Sequence, residues 1–370
     1  MKNRIVTIIG LFALLSTASA AGPKADFNVI PVPRTICAGT SAPFVLDSNT
    51  KIYYEEGQKR NAAFLQQYIT DITGIVPELT DRPRKRGTIS LRVKDTSSDA
   101  EGYTLTVDKK NIHIVGNSPA GVFYAIQTLR KALPAGQASE VEIPSCIVED
   151  SPRFAYRGVH LDVVRHFFPV DSVKRYIDII ALHNVNRFHW HLTDDQGWRV
   201  EIKSRPRLTS VGAYRKQTAG DGTPHGGFYT QDEIRDIIRY AQERYITIIP
   251  EIDIPGHSAA ALASYPEIGC TGGPYEVCEV WGGPADVLCA GKDETMQFLQ
   301  DVFTEIAGLF PSQYIHIGGD ECPKQRWKEC RACQAKIKEL GIVPEKTLCR
   351  AETAKLCHGL GREISGGKRT

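Results

Sequence analysis

The sequence predicts an α/β chain: the first four strand units of an eight-stranded β/α (TIM-type) barrel, preceded by a small α+β domain. Three observations carry this. From Arg153 onward, short apolar runs rich in β-branched and aromatic residues alternate with segments of helical periodicity, the pattern of a parallel β/α architecture. Four successive runs each end in polar side chains: Asp162 and Arg165, then Asp194 and Asp195, then Glu251, Asp253 and His257, then Asp320 and Glu321. A barrel assembles its active site at the carboxyl ends of its strands, so charge at that end of every strand fits the architecture and is hard to explain by folding alone. No Gly-rich phosphate loop follows any strand, which argues against a doubly wound nucleotide-binding sheet.

In chain order, residues 1–20 have a basic start, an apolar run from Ile5 to Leu15 and the small residues Ala18-Ser19-Ala20, the pattern of a cleaved secretory leader. The run is short for a bilayer span, so a periplasmic or secreted location is expected, with no membrane association. The formal charge of +2 falls to about zero without Lys2 and Arg4, which leaves no electrostatic case for nucleic acid or an anionic surface.

Residues 23–150 predict a small α+β domain. Phe44–Leu46 and Lys51–Tyr54 read as strands. Gln58 to Ile75 places Ala62, Leu65, Tyr68, Ile69 and Ile72 at helical spacing. Strands return at 88–93, 102–107 and 111–115, the last two joined as a hairpin across Asp108-Lys-Lys110. Ser118-Pro119 opens a second helix, with serine as cap and proline in the first turn, and Pro134 stops it. The domain holds no catalytic cluster, and a supporting role is expected.

Residues 153–345 carry the four β/α units: a strand at 157–162; a helix from Ser172 capped by Asp171; a strand from Arg187; a helix at 231–244 capped by Thr230; a strand from Ile246; a helix at 295–310; and a strand at 314–317. That last strand loses its side chains at Gly318-Gly319 and delivers Asp320 and Glu321. Neighbouring strand residues face opposite ways, so the two acids serve one ligand only where the chain leaves strand geometry, which paired glycines permit. Two adjacent carboxylates crowd each other, an arrangement that lets one hold its proton while the other stays ionised.

Four motifs, Arg157-Gly-Val-His-Leu-Asp-Val-Val-Arg-His-Phe-Phe168, His191-Leu-Thr-Asp-Asp-Gln-Gly-Trp198, Pro250-Glu-Ile-Asp-Ile-Pro-Gly-His257 and His316-Ile-Gly-Gly-Asp-Glu321, resemble glycoside hydrolase family 20, the β-N-acetylhexosaminidases. The resemblance runs from about residue 27 to about residue 345. It implies exo-hydrolysis of terminal N-acetylglucosamine or N-acetylgalactosamine from an oligosaccharide, with no cofactor and no metal. Glu321 matches the general acid/base. Asp320 matches the aspartate that holds the substrate's 2-acetamido group, whose own carbonyl attacks the anomeric carbon, so that no enzyme nucleophile is needed. Arg157 matches the arginine that grips sugar hydroxyls, and Asp194, Asp253 and His257 match a network behind the acid. Trp198 and Trp281 are equally core or sugar platforms, and Glu251 is equally a buried structural acid.

Other chemistries are weighed against this. Alternation puts His189 and His191 on one strand face, and with His257 and an aspartate they would make the zinc set of a metal hydrolase. Of the ten cysteines, Cys322, Cys330 and Cys333 offer three zinc ligands without a fourth; loop-stapling disulfides are preferred, with no pairing legible. The 169 residues from Arg153 to Glu321 hold four units, whereas 49 follow Glu321, too few for four more. Residues 346–370 are expected to leave the family pattern without another strand. The chain is accordingly expected to be a fragment of doubtful activity, its alternative function that of an inactive or weakly sugar-binding remnant. Its oligomeric state is not legible.

Overall fold

The computed structural model describes residues 22–94, 99–341 and 348–365, so the expected leader and the last five residues lie outside what is described. The small domain is built on a seven-stranded mixed sheet in the order Thr35–Ala38, Cys146–Asp150, Tyr103–Val107, Asn111–Gly116, Thr88–Val93, Lys51–Tyr54, Glu78–Thr80. The expected hairpin is present, with Val107 opposite Ile112. Asp108 Oδ1 accepts from the backbone N–H groups of Lys110 and Asn111 at 2.6 and 3.0 Å and thereby fixes the turn. Phe44–Asp47 pairs outside this sheet with Glu140–Ile143.

Two helices complete the domain. Lys59–Thr73 ends on Gly74, whose φ of +77° supplies the left-handed cap. Pro119–Ala132 starts as expected, Ser118 accepting from the Ala120 N–H. This second helix is buried almost all round because it packs against the barrel as well as the sheet. Phe123 packs at a tilt against Tyr245 with ring centroids 5.4 Å apart, Lys131 Nζ donates to the Leu182 carbonyl, and the Arg244 guanidinium lies 4.9 Å from the Phe64 ring centroid. Leu182, Arg244 and Tyr245 all precede barrel strands. The small domain therefore braces the amino ends of those strands.

The second sheet is parallel, in the order Gly158–Asp162, Arg187–His191, Thr247–Glu251, Tyr314–His316, Glu363–Ser365. Four of these strands are the expected ones. The fifth corrects the expectation of a strandless tail: Ile364 pairs in parallel with Ile315, and the helix Leu348–Gly359 leads into it. Only three residues long and with one apolar side chain, it acquires strand character from its neighbour, so periodicity could not find it. Helices Val170–Leu182, Gln231–Gln242 and Asp293–Leu309 bury Ile177, Ile237 and Phe303 in one core with Phe188 and Trp190. Thr230 and Glu233 form a full capping box. The helix expected from Ser172 with Asp171 as its cap starts two residues earlier, at Val170, after Pro169. No helix among the described residues is long and apolar enough to cross a membrane.

Parallel register sets the geometry of the site. Asp162, His191, Glu251, His316 and Ser365 are paired in one row across the five strands. The strands' polar ends thus lie at one level.

Candidate active site

Beyond His316 the chain leaves strand geometry at Gly318 and Gly319, with φ of +59° and +84°. A Cβ on Gly318 would meet Asp253 Oδ1 at 1.9 Å, so this position needs glycine both for its backbone conformation and for the close approach. Gly319 N–H donates to the same Oδ1 at 3.3 Å. Turned in this way, the chain presents Asp320 and Glu321 on the surface, the Glu321 side chain 74% exposed.

Behind Glu321 lies a buried relay. Glu321 Oε2 is 3.8 Å from His257 Nε2, and His257 Nδ1 is 3.1 Å from Asp194 Oδ1 and 3.4 Å from Asp195 Oδ2. Asp194 also meets Arg165 at 2.6 Å and His191 at 2.8 Å. Burial alone would protonate Asp194, but His191, His257 and the charge of Arg165 outweigh it and hold the carboxyl well below the usual range. Hydrogen bonds to Asp194 and Asp195 push His257 up to about 11 against its burial, so it is a cation at neutral pH. Asp195 is itself pinned by the Ala259 N–H at 2.9 Å.

Asp253 is the opposite case. Burial, then the charge of Glu251, pushes its carboxyl up to about 8, and it holds its proton at neutral pH while bonded to Gly319. Asp194, Asp253 and His257 are thus gathered at the base of the acid loop.

Glu251 forms a second centre that sequence reasoning left undecided. His189 Nε2, His191 Nδ1 and His316 Nδ1 lie 2.6, 2.7 and 2.9 Å from its carboxylate. Burial opposes ionisation there, and the three imidazoles outweigh it. The signal was present in the alternation His189-Trp190-His191, which aims both imidazoles inward, but their common partner stands on the next strand. The zinc set imagined from these histidines does not assemble, since His257 is with Asp194 and Asp195 instead of His189. The close groups are His160–His189–Glu251, His191–Glu251–Asp253 and Asp194–Asp195–His257.

Arg157 requires a correction. It stands at the amino end of its strand, opposite the acids, where its guanidinium meets Glu101 at 2.7 and 3.0 Å, the Asn184 carbonyl at 2.6 Å and the Phe154 carbonyl at 2.8 Å. It ties the two domains together and does not reach the site. The arginine at the carboxyl end is Arg165, within the same motif: it binds Asp162, Asp194 and Gln196, and its guanidinium lies 5.0 Å from the Trp281 ring centroid. Trp281 is exposed, whereas Trp198 is buried and donates to the Val200 carbonyl, which makes it core.

Cys37, Cys146, Cys270, Cys278, Cys289, Cys330, Cys333 and Cys357 carry free thiols, so the expected disulfides do not join them, and Cys322 is not part of the group that holds Cys330 and Cys333. Cys330 and Cys333 converge instead with Cys270 and Cys289.

A parallel β/α sheet that brings buried carboxylates, a charged histidine and an exposed Asp-Glu pair to its carboxyl end has the arrangement from which β/α-barrel enzymes build an active site. Residues 154–358 match the catalytic-domain model of glycosyl hydrolase family 20, past the boundary near 345 drawn from the motifs, and residues 26–151 match domain 2 of the same family. The chain belongs to glycosyl hydrolase family 20. It is 43% identical over 343 residues to a β-hexosaminidase of Porphyromonas gingivalis, covering 87% of this chain and 42% of that one. A Vibrio furnissii β-hexosaminidase is 38% identical over 340 residues, covering 89% and 54%. Among solved structures, the exo-β-N-acetylglucosaminidase of Vibrio harveyi in complex with N-acetylglucosamine superposes with a TM-score of 0.81 at 33% identity, covering 94% of this chain and 55% of that one. The chain spans about half the length of these relatives.

Proposed function

We propose that this site serves removal of terminal, non-reducing β-linked N-acetylglucosamine or N-acetylgalactosamine from oligosaccharides outside the cytoplasm, by substrate-assisted retaining hydrolysis. The observation that carries the proposal is the chain of contacts Asp194–His257–Glu321, with Asp320 adjacent to its reacting end. Glu321 gives its proton to the glycosidic oxygen as the acetamido carbonyl oxygen bonds to the anomeric carbon and the leaving alcohol departs. Asp320 accepts from the acetamido N–H and offsets the charge of the oxazolinium. Water then attacks the anomeric carbon, losing a proton to Glu321, as the bond from that carbon to the acetamido oxygen breaks, which restores the acetamido group and retains the anomeric configuration. The grip on sugar hydroxyls passes from Arg157 to Arg165, whose planar fork stands at the correct end of the strand. The substrate class rests on likeness to the Vibrio harveyi enzyme, described as bound to N-acetylglucosamine.

Fluorination of the substrate's acetyl group tests the route, since it weakens the carbonyl nucleophile. Across aryl N-acetyl-β-glucosaminides with increasing acetyl fluorination, kcat/KM should fall at each step. A flat series would remove substrate assistance from the account. Recovery of the chain in the periplasmic or culture fraction checks export, and retention in the cytosol would contradict it.

A further inference from the structure

Cys270, Cys289, Cys330 and Cys333 come from three separate stretches of sequence, yet their sulfurs all lie within 4.8 Å of one another. Cys289 Sγ is 3.5 Å from Cys333 Sγ and 3.7 Å from Cys330 Sγ, and Cys270 Sγ is 3.9 Å from Cys333 Sγ. A disulfide would require about 2.05 Å, and two separate bridges would give no reason for all four sulfurs to be mutual neighbours. Zinc–sulfur bonds of about 2.3 Å place the corners of a thiolate tetrahedron about 3.8 Å apart, which matches the observed separations. We propose that these four cysteines form a structural zinc site.

The surroundings fit a closed metal centre. Cys289 and Cys333 are fully buried. The Gly291 N–H donates to Cys289 Sγ, a contact that stabilises thiolate character. A Cβ on Gly291 would overlap the Ala332 backbone at 2.2 Å, so the loop carrying Cys289 is pressed directly against the Cys330–Cys333 segment. Lys292 Nζ donates to the carbonyls of Glu267 and Gly269 and brings a cation to the residue before Cys270. On binding, the thiol protons pass to solvent and zinc accepts four sulfur lone pairs, with no redox change. A bridging iron–sulfur cluster would hold its cysteines further apart than these.

The site would join two loops that serve the acids. Cys270 and Cys289 belong to the long excursion after the third strand, which also carries His257. Cys330 and Cys333 open the helix Arg331–Leu340, which follows the loop of Asp320 and Glu321. Trp327 Nε1 donates to the Leu288 carbonyl across the same seam. Closed by four ligands, this site would hold the loops in place and take no part in chemistry.

The test is metal analysis of the full chain, purified without metal-affinity resin or chelator. One zinc ion per chain is expected in the parent and in the control Cys37→Ser, with near-complete loss in Cys270→Ser/Cys289→Ser. Should that double variant fail to fold, the parent alone decides: a mercurial thiol reagent should release the zinc as four thiols react, and cobalt exchange should give tetrahedral thiolate absorption. Folded parent without zinc, stoichiometric iron in its place, disulfides among these four cysteines in a non-reduced peptide map, or zinc retained by the double variant would each overturn the proposal.

Discussion

Arg157→Met separates a structural arginine from a sugar-binding one. In the parent, the Arg157 guanidinium makes two bonds to Glu101 and two to backbone carbonyls, with its side chain 17% exposed and that of Glu101 26% exposed. Removing one partner of a buried pair costs about 3–5 kcal/mol. Partial exposure reduces this, and Glu101 keeps Asn186 and Tyr124 at 3.0 Å, so about 2–3 kcal/mol is expected. At roughly 2–4 °C per kcal/mol for a large domain, the midpoint should fall by about 4–12 °C in a thermal scan. Burial raises the Glu101 carboxyl, but Arg157 and Asn186 outweigh it and leave it lowered. Its contribution is therefore present above the unfolded carboxyl value and is lost as pH falls through the folded one, so the variant should lose less stability on acidification. Below the new midpoint, kcat/KM should match the parent, whereas Arg165→Met should lose turnover. A tenfold or larger rise in KM for Arg157→Met, with an unchanged midpoint, would refute this placement and restore the arginine to the sugar.

Asp253→Asn should be nearly silent in activity at neutral pH, because the parent carboxyl already holds its proton and an amide oxygen can still accept from Gly319. The raised carboxyl makes the parent lose stability as pH rises from the ordinary value of 3.8 to about 8, so the variant's midpoint should rise relative to the parent's over that window in a series of thermal scans. His257→Gln keeps a donor toward Asp194 but loses the cation, and kcat/KM should fall about 10–100-fold with KM little changed, as steady-state rates will show. The raised His257 pKa contributes stability that is fully present below the ordinary value of 6.5 and lost as pH rises through about 11, so this variant's alkaline stability limb should flatten.

Much of the architecture was legible because it is written locally. Alternating apolar runs and the caps at Ser118 and Thr230 locate strands and helices from neighbouring residues alone. Gly318-Gly319 announced the turn that the Asp253 contact then required. What was missed depends on partners distant in sequence. Thr35–Ala38 is exposed along its whole length and shows no alternation, and Glu363–Ser365 is a strand only through its pairing. Arg157 and Arg165 share one motif, and only the strand's direction tells which of them faces the acids. Glu251 became a centre through imidazoles on two adjacent strands, and the four thiols converge from loops that the spacing of any one segment does not connect.

The proposed hydrolysis turns on proton transfer from Glu321 to the leaving oxygen. The measurement is kcat/KM of parent and Glu321→Gln on two N-acetyl-β-glucosaminides, one with a poor leaving group such as 4-methylphenol and one with 2,4-dinitrophenol, which departs without protonation. General-acid catalysis predicts a loss of about 10²–10⁴ on the first and a much smaller one on the second. Equal losses on both substrates would contradict the assignment.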